Sequence, residues 1–448
     1  MDRREVNMAM KFKESQLYKF FSDVAAIGTS AEKIKELGKV PLYSNAFFLI
    51  TANVCNAIFG FVFWIVVARF YTAEQVGLAS ATIAGMGFVV AVSRFGLEMA
   101  LVRFLQQSQE SAFTTINIVL TIGLIMSVVV AFVFIIGLGL WSPALIFIRE
   151  NPVYLAAFMV FCAAATLSVF ADYTCIAERK SHLALWRSLI FGFLKIPLAV
   201  LLARVLVTFG IFSSWGIALL IALFISMLIF LPHAHPGYHF FFTFKGSVVQ
   251  DMMKFAFANY VATFLWSAPG MVFPIMVLNM LGAEANAYFY VAWAIGGVLT
   301  MIPTSVATSL FAEGSYDGVQ LKSHVSRSLK MAGILLVPAV VLVVVLADKL
   351  LLLFGGSYSE SAASLLRILA LGALPMSVNS IFIGTKQVQK DLKALLGLTA
   401  FAAAVALGMA LVLVPQTGIE GAGIGWVIGQ SVAALLVVGI FAKGRHLI

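Results

Sequence analysis

Phe63-Trp64-Ile65-Val66-Val67-Ala68-Arg69-Phe70-Tyr71-Thr72-Ala73-Glu74-Gln75-Val76-Gly77 reads as the end of one apolar helix, a tight joint and the start of another. Thr72 with Gln75 three positions on has the spacing of a capping box, in which each side chain satisfies a backbone N–H at the new helix start. Glu74 complements the positive end of that helix's dipole. About 210 residues further on, Ala283-Glu284-Ala285-Asn286-Ala287 repeats the joint between two more apolar runs. Arg179-Lys180 falls opposite Gln389-Lys390 at about the same offset. Any two helical hairpins can share an Ala-Glu turn, but two separate places agreeing on one offset point to an internal repeat.

Twelve apolar stretches follow one another along the chain, the first at 45–68 and the last at 422–442. A helix needs roughly 20 apolar residues to cross a ~30 Å hydrocarbon core, and each stretch reaches or approaches that length. The expected fold is all-α: a polytopic membrane protein of about 12 transmembrane helices in two parallel six-helix repeats around a central cavity. With six spans per half both copies enter the membrane in the same direction, so an axis along the membrane normal relates them. The expected organisation is a cytoplasmic amphipathic segment over 1–43, one half over 44–232, a cytoplasmic connector over 233–253 and the second half over 254–448. In the first segment Phe12, Leu17, Phe20, Phe21 and Val24 recur at helical spacing among Lys11, Lys13 and Lys19, as in a helix lying on the inner leaflet.

Charge sets the orientation. Lysine and arginine crowd every second gap, leaving only Arg69, Arg149, Arg204 and Lys349 on the other side. That bias places both termini in the cytoplasm of a multi-pass plasma-membrane protein. It also accounts for the net charge of +9 as a consequence of insertion, with no nucleic acid among the partners. Charged residues make up 11% of the chain and hydrophobic ones 62%, against about 25% charged in soluble domains, which excludes a soluble enzyme. Cys55, Cys162 and Cys175 all fall in apolar stretches, so neither a disulfide framework nor a zinc site is indicated. No gap is long enough for an extramembrane catalytic domain, and no nucleotide-binding motif appears. His233, His235 and His239 in the connector are poorly spaced for a metal. The chain is expected to be no enzyme and to need no cofactor or metal.

Phe63 to Gly77, with Arg94-Phe95-Gly96-Leu97-Glu98 and Val102-Arg103-Phe104, resembles the start of the polysaccharide flippases. These belong to the multidrug/oligosaccharidyl-lipid/polysaccharide exporter superfamily. Gly355-Gly356-Ser357-Tyr358 with Ala362 to Leu369 resembles that family's tenth span, and Gly418-Ile419-Glu420-Gly421-Ala422-Gly423 its entry into the last. Val76 departs from the aromatic often found before the glycine. The resemblance implies a flippase of the O-antigen or teichoic-acid type, moving a polyprenyl-phosphate-linked sugar or oligosaccharide to the outer leaflet by alternating access for surface polysaccharide synthesis. Its partners would be the lipid-linked glycan, membrane lipids and a glycan polymerase or glycosyltransferases. Two alternatives stay open: a cation-coupled multidrug exporter of the same superfamily, and a non-transporting scaffold for glycan enzymes.

An intramembrane charge costs ~2.5 to 3.5 kcal/mol on insertion scales and is a functional candidate by default. Lys195 lies about 18 Å along the fifth span at 1.5 Å per residue, where it could neutralise a phosphate or pair with Asp172. Arg367 is deep in the tenth span. Arg94 and Glu98 share a helix face with Arg103 opposite, which suits a site at the cytoplasmic mouth or an ordinary i,i+4 pair. Arg69 and Arg204 near the outer surface fit release-side contacts or snorkelling. Asn53 and Asn56 on the first span, Asn259 and Thr263 on the seventh, and Trp293 and Thr300 on the eighth form neutral polar stripes. Amides, hydroxyls and aromatic faces suit sugars, and equally suit helix packing.

Overall fold

The computed structural model describes residues 41–107, 112–204, 206, 209–243, 246–316 and 321–442. The amphipathic segment expected over 1–43 lies almost wholly outside the described residues. Among the described residues, twelve helices are long and apolar enough to cross a membrane. Spans one to six are Phe47–Phe70, Ala73–Arg94, Ala112–Ile136, Pro152–Ala177, Ser181–Leu202 and Gly210–Ala234. Spans seven to twelve are Tyr260–Leu281, Ala283–Phe311, Leu321–Leu352, Gly356–Val388, Leu392–Thr417 and Ile419–Ile440.

Local chemistry sets where these helices begin. The capping box forms: Gln75 N donates to Thr72 Oγ1 at 3.3 Å, and Thr72 N donates to Gln75 Oε1 at 3.0 Å. Span four opens on Asn151, whose Oδ1 accepts from Val153 N at 2.9 Å, with Pro152 in the first turn where it has no N–H to lose. The connector is tighter than its expected 233–253. Its residues up to Thr243 strap onto span three through Tyr238, which donates to Asn117 Oδ1 at 2.8 Å, and a new helix starts at Gly246. Burial pushes the Tyr238 phenol well above its usual pKa.

The repeat is visible in the turns. Arg179 and Lys390 both adopt left-handed φ, 56° and 57°. Lys180 N donates to Cys175 O at 2.8 Å, and Asp391 N to Lys386 O at 3.0 Å, the long bond of a Schellman helix end in both places. Arg179 therefore matches Lys390, one residue away from the alignment that the paired basic residues invite. The pairings also recur: span one packs on five and seven on eleven, three on four and nine on ten, five on six and eleven on twelve. A side chain in the left-handed region costs roughly 1–2 kcal/mol. Lys390→Gly should accordingly raise the melting temperature of the purified protein, while Lys390→Val should lower it.

The two halves meet unequally. At the Thr72 end they are sealed. Asn286 Nδ2 donates to Gly77 O at 2.8 Å and to Ser80 Oγ at 3.1 Å, and Trp64 packs on Tyr290 with ring centroids 4.8 Å apart. Arg69 donates to the carbonyls of Leu352 and Leu353, the free end of span nine, and Phe61 meets Phe354 edge-on. Toward the Arg179 end, spans two and seven stay in contact, with Tyr260 Oη donating to Ala91 O at 2.9 Å. Spans one and eight instead have few contacts with each other. About 12 and 16 Å below Trp64 at 1.5 Å per residue, Asn56 and Asn53 are exposed, as are Thr304, Ser305 and Thr308 on span eight.

Candidate substrate site

The neutral stripe expected on spans seven and eight becomes two cavities that share Trp266, both lying within the C-terminal half. One, of about 170 Å³, is bordered by Thr263, Thr304, Thr308, Ser380, Gln387 and Thr399. The other, of about 210 Å³, is bordered by Trp293, Gly297, Thr300, Trp426 and Gln430. No residue lining either cavity carries a charge. Helical spacing brings this about: Trp293, Gly297, Thr300 and Thr304 follow one face of span eight, and Trp426 and Gln430 are one turn apart on span twelve. Gln430, Trp426, Gln387 and Thr399 escaped the sequence reading, although the i,i+4 spacing of an aromatic and an amide in the last span was a usable signal. The side chain of Asn259 lies outside the described residues. Asn53 and Asn56 line neither cavity.

The charged candidates are dispersed. Lys195 is 3% exposed and boxed by rings of its own half, with Nζ 4.3 Å from the Trp215 centroid, 4.7 Å from Phe191 and 5.2 Å from Phe63. It does not meet Asp172, which accepts two bonds of 2.5 Å from the Arg187 guanidinium. Arg187 is 9% exposed within span five. Arg367 pairs with Asp348 on span nine and donates to Val344 O at 3.3 Å, on neither cavity. Arg204 is exposed beyond the end of span five. The net energy of the Lys195 box follows from two opposing terms. Burying the ammonium costs a few kcal/mol, and each ring returns roughly 0.5–2 kcal/mol. Because no carboxylate is stranded by its removal, Lys195→Met should fold with a melting temperature close to the native one, which a thermal scan in detergent checks.

Arg94 and Glu98 stand on two helices, because the chain turns at Phe95 and Gly96, whose φ values are 47° and 74°. The pair nevertheless holds at 3.4 Å. Arg94 Nε and Glu98 Oε2 are both buried without a hydrogen-bond partner. Tyr260 of the other half packs against Phe95 beside them. Arg103 projects outward from the short helix Leu97–Gln107. This is the one place among the described residues where an unsatisfied guanidinium N–H and an unsatisfied carboxylate oxygen adjoin.

A sequence profile described as polysaccharide biosynthesis protein matches residues 42–312, well over half of the chain. The chain belongs to that family. A second profile, MatE, matches residues 260–412 of this family member. Among curated proteins none matches. Solved structures do. A lipid II flippase, MurJ, in an inward closed conformation is 13% identical, with 89% of this chain and 88% of that one covered and a TM-score of 0.71. An inward-facing multidrug resistance transporter of the MATE family is 17% identical over 88% and 94% of the two chains, with a TM-score of 0.65. A transporter from Pyrococcus furiosus, noted for reversed polarity of its binding pocket, is 14% identical over 91% and 96%, with a TM-score of 0.56. At these identities the likeness is one of fold. Among its described residues the protein is all-helical with twelve candidate spans, and it shares the fold of these transporters and flippases.

Proposed function

We propose that the protein is a flippase for a polyprenyl-phosphate-linked sugar or oligosaccharide, working by alternating access at the plasma membrane with both termini in the cytoplasm. The observation that carries this reading is the seam between spans one and eight. It is closed by Trp64 and Tyr290 at the Thr72 end, and below that both spans expose amide and hydroxyl side chains. A polar headgroup tied to a hydrocarbon tail needs such a path, since the tail can stay in the bilayer while the headgroup enters. With the Arg179 end in the cytoplasm, the closed end faces outward and the protein stands ready to receive substrate from the inner leaflet. Arg94 then supplies the phosphate contact through its unpartnered Nε. Export of a negative headgroup from a negative interior gains about 2.3 kcal/mol per charge per 100 mV, so the membrane potential drives the step. Partner glycosyltransferases or a polymerase would supply and consume the substrate.

The test is translocation of a labelled polyprenyl-phosphate sugar in proteoliposomes. Loss of a charge-assisted bond is worth about 1.5–3 kcal/mol, so Arg94→Gln should slow flipping roughly tenfold or more. Collapsing the potential should slow the native protein. A rate indifferent to potential but lost with a sodium or proton gradient would count against this drive. The MatE match supports a second reading, cation-coupled drug export. The absence of carboxylates from both cavities speaks against it, and proton-dependent efflux of a lipophilic cation without headgroup flipping would establish it.

A further inference from the structure

We infer that the larger cavity of the C-terminal half is a subsite for a single uncharged pyranose ring. It takes one neutral sugar of the transported headgroup, an inference that rests on the flippase reading above. The decisive element is an oriented amide. Gln430 is 5% exposed, and both its backbone carbonyl and its Oε1 accept from Asn379 Nδ2, at 2.9 and 2.8 Å. Asn379 is fully buried on span ten, so the Gln430 acceptor is taken and its rotation fixed. What remains of that amide is Nε2, with two N–H donors, on a side chain that borders the cavity. A sugar hydroxyl entering the cavity would accept from them, and an amide already held by Asn379 loses little entropy in making that bond.

The walls agree with that ligand. Trp293 meets Trp426 edge-on at 5.6 Å between centroids and is held from behind by Phe273 and Phe289. The space before Trp293 is kept open by Gly270 and Gly297. A methyl group at Gly270 would come within 3.6 Å of the Trp293 ring nitrogen, and one at Gly297 would meet nothing within 4 Å. Indoles offer flat apolar faces for the C–H side of a pyranose and an N–H at the edge. Thr300 donates its hydroxyl proton to Gly297 O at 2.7 Å, which leaves its oxygen lone pairs as acceptors for a ligand hydroxyl. Donor, acceptor and stacking face are thus all present. A charge of either sign is not matched, so a uronate or phosphate would be buried unpaired. At about 210 Å³ the cavity is smaller than the roughly 300–1,000 Å³ usual for drug-sized ligands, which fits one ring rather than an oligosaccharide.

The experiment is saturation-transfer NMR on the full-length protein in lipid nanodiscs. The probes are a methyl hexopyranoside, a methyl N-acetylhexosaminide, a methyl hexuronoside and tetraphenylphosphonium. Native protein should transfer saturation to the ring protons of at least one neutral glycoside and several-fold less to the uronoside. Gln430→Leu should weaken the neutral signal at least fivefold, Trp293→Leu should abolish it and Trp293→Phe should retain part of it. No signal from either neutral glycoside, a signal unchanged in Gln430→Leu and Trp293→Leu, or a phosphonium signal that these variants remove while sugars give none, would each overturn the subsite. Headgroup translocation measured in parallel separates the two claims. Undiminished flipping by Gln430→Leu with no sugar signal sinks the subsite and leaves the flippase standing. A sugar signal that depends on Gln430, with no lipid-linked headgroup flipped by native protein, sinks the flippase reading instead.

Discussion

Gly77→Ala should abolish the closed state of the Thr72 end and reduce transport to background. A Cβ built on Gly77 would lie 1.6 Å from Ala283 O and 2.5 Å from its carbonyl carbon. The obstacle is the backbone of another helix, which cannot rotate away as a side chain could. The two helix starts that the repeat makes equivalent are therefore in direct contact, and the contact exists only because one of them lacks a side chain. Asn286 depends on the same approach for its bonds to Gly77 O and Ser80 Oγ. The helices can relieve the clash only by separating, which is the movement alternating access requires in the outward direction. The variant should remain folded and become outward-open. Spin labels placed at the ends of spans one and nine should report a longer distance, and an added cysteine at position 80 should become reactive to an impermeant thiol reagent. Asn286→Ala should shift the same balance less far, because it removes two hydrogen bonds without adding a clash. Native distances in Gly77→Ala would show that the seal has more slack than its geometry implies.

Much of this architecture was legible because membranes impose so few solutions. Backbone groups in lipid must be satisfied within each segment, so apolar length alone located twelve spans among the described residues, with ends that differ from the observed ones by up to seven residues. Thr72 and Gln75 foretold a cap because that chemistry is local. What the sequence concealed was long-range. The contact of Gly77 with Ala283 joins residues of different halves, and nothing near Gly77 distinguishes it from glycines facing open space. The turn at Phe95 and Gly96 uses a non-glycine residue at positive φ, so the Arg94–Glu98 spacing looked like one continuous helix. The Asn379–Gln430 bond links spans ten and twelve, and an isolated asparagine in an apolar run carries no sign of its partner. Of the neutral polar stripes, Thr263, Trp293 and Thr300 border the cavities, while Asn53 and Asn56 do not. Lys195 and Arg367 have aromatic and acidic neighbours away from both cavities, partners that spacing along one chain does not announce.

Arg187→Met should destabilise the protein by about 3 kcal/mol, the lower part of the range for breaking a buried ion pair, and Asp172→Leu in the same chain should restore most of the loss. The asymmetry follows from desolvation. The Asp172 carboxylate accepts from both Nε and Nη2 of Arg187 at 2.5 Å, with the two side chains 20% and 11% exposed. Removing the guanidinium strands a largely dehydrated negative charge between spans four and five. Removing both charges leaves two apolar side chains between helices, which is often as stable as the original pair. The pair also lies near the Arg179 turn, where it fastens the hairpin of spans four and five at the end that must open and close. Thermal unfolding of native, single and double variants in one detergent measures the stability, and flipping in proteoliposomes measures the function. A structural pair predicts that stability and flipping fall together in Arg187→Met and recover together in the double variant. If stability recovers and flipping does not, Arg187 is itself a phosphate contact, and the cationic site extends from Arg94 into span five.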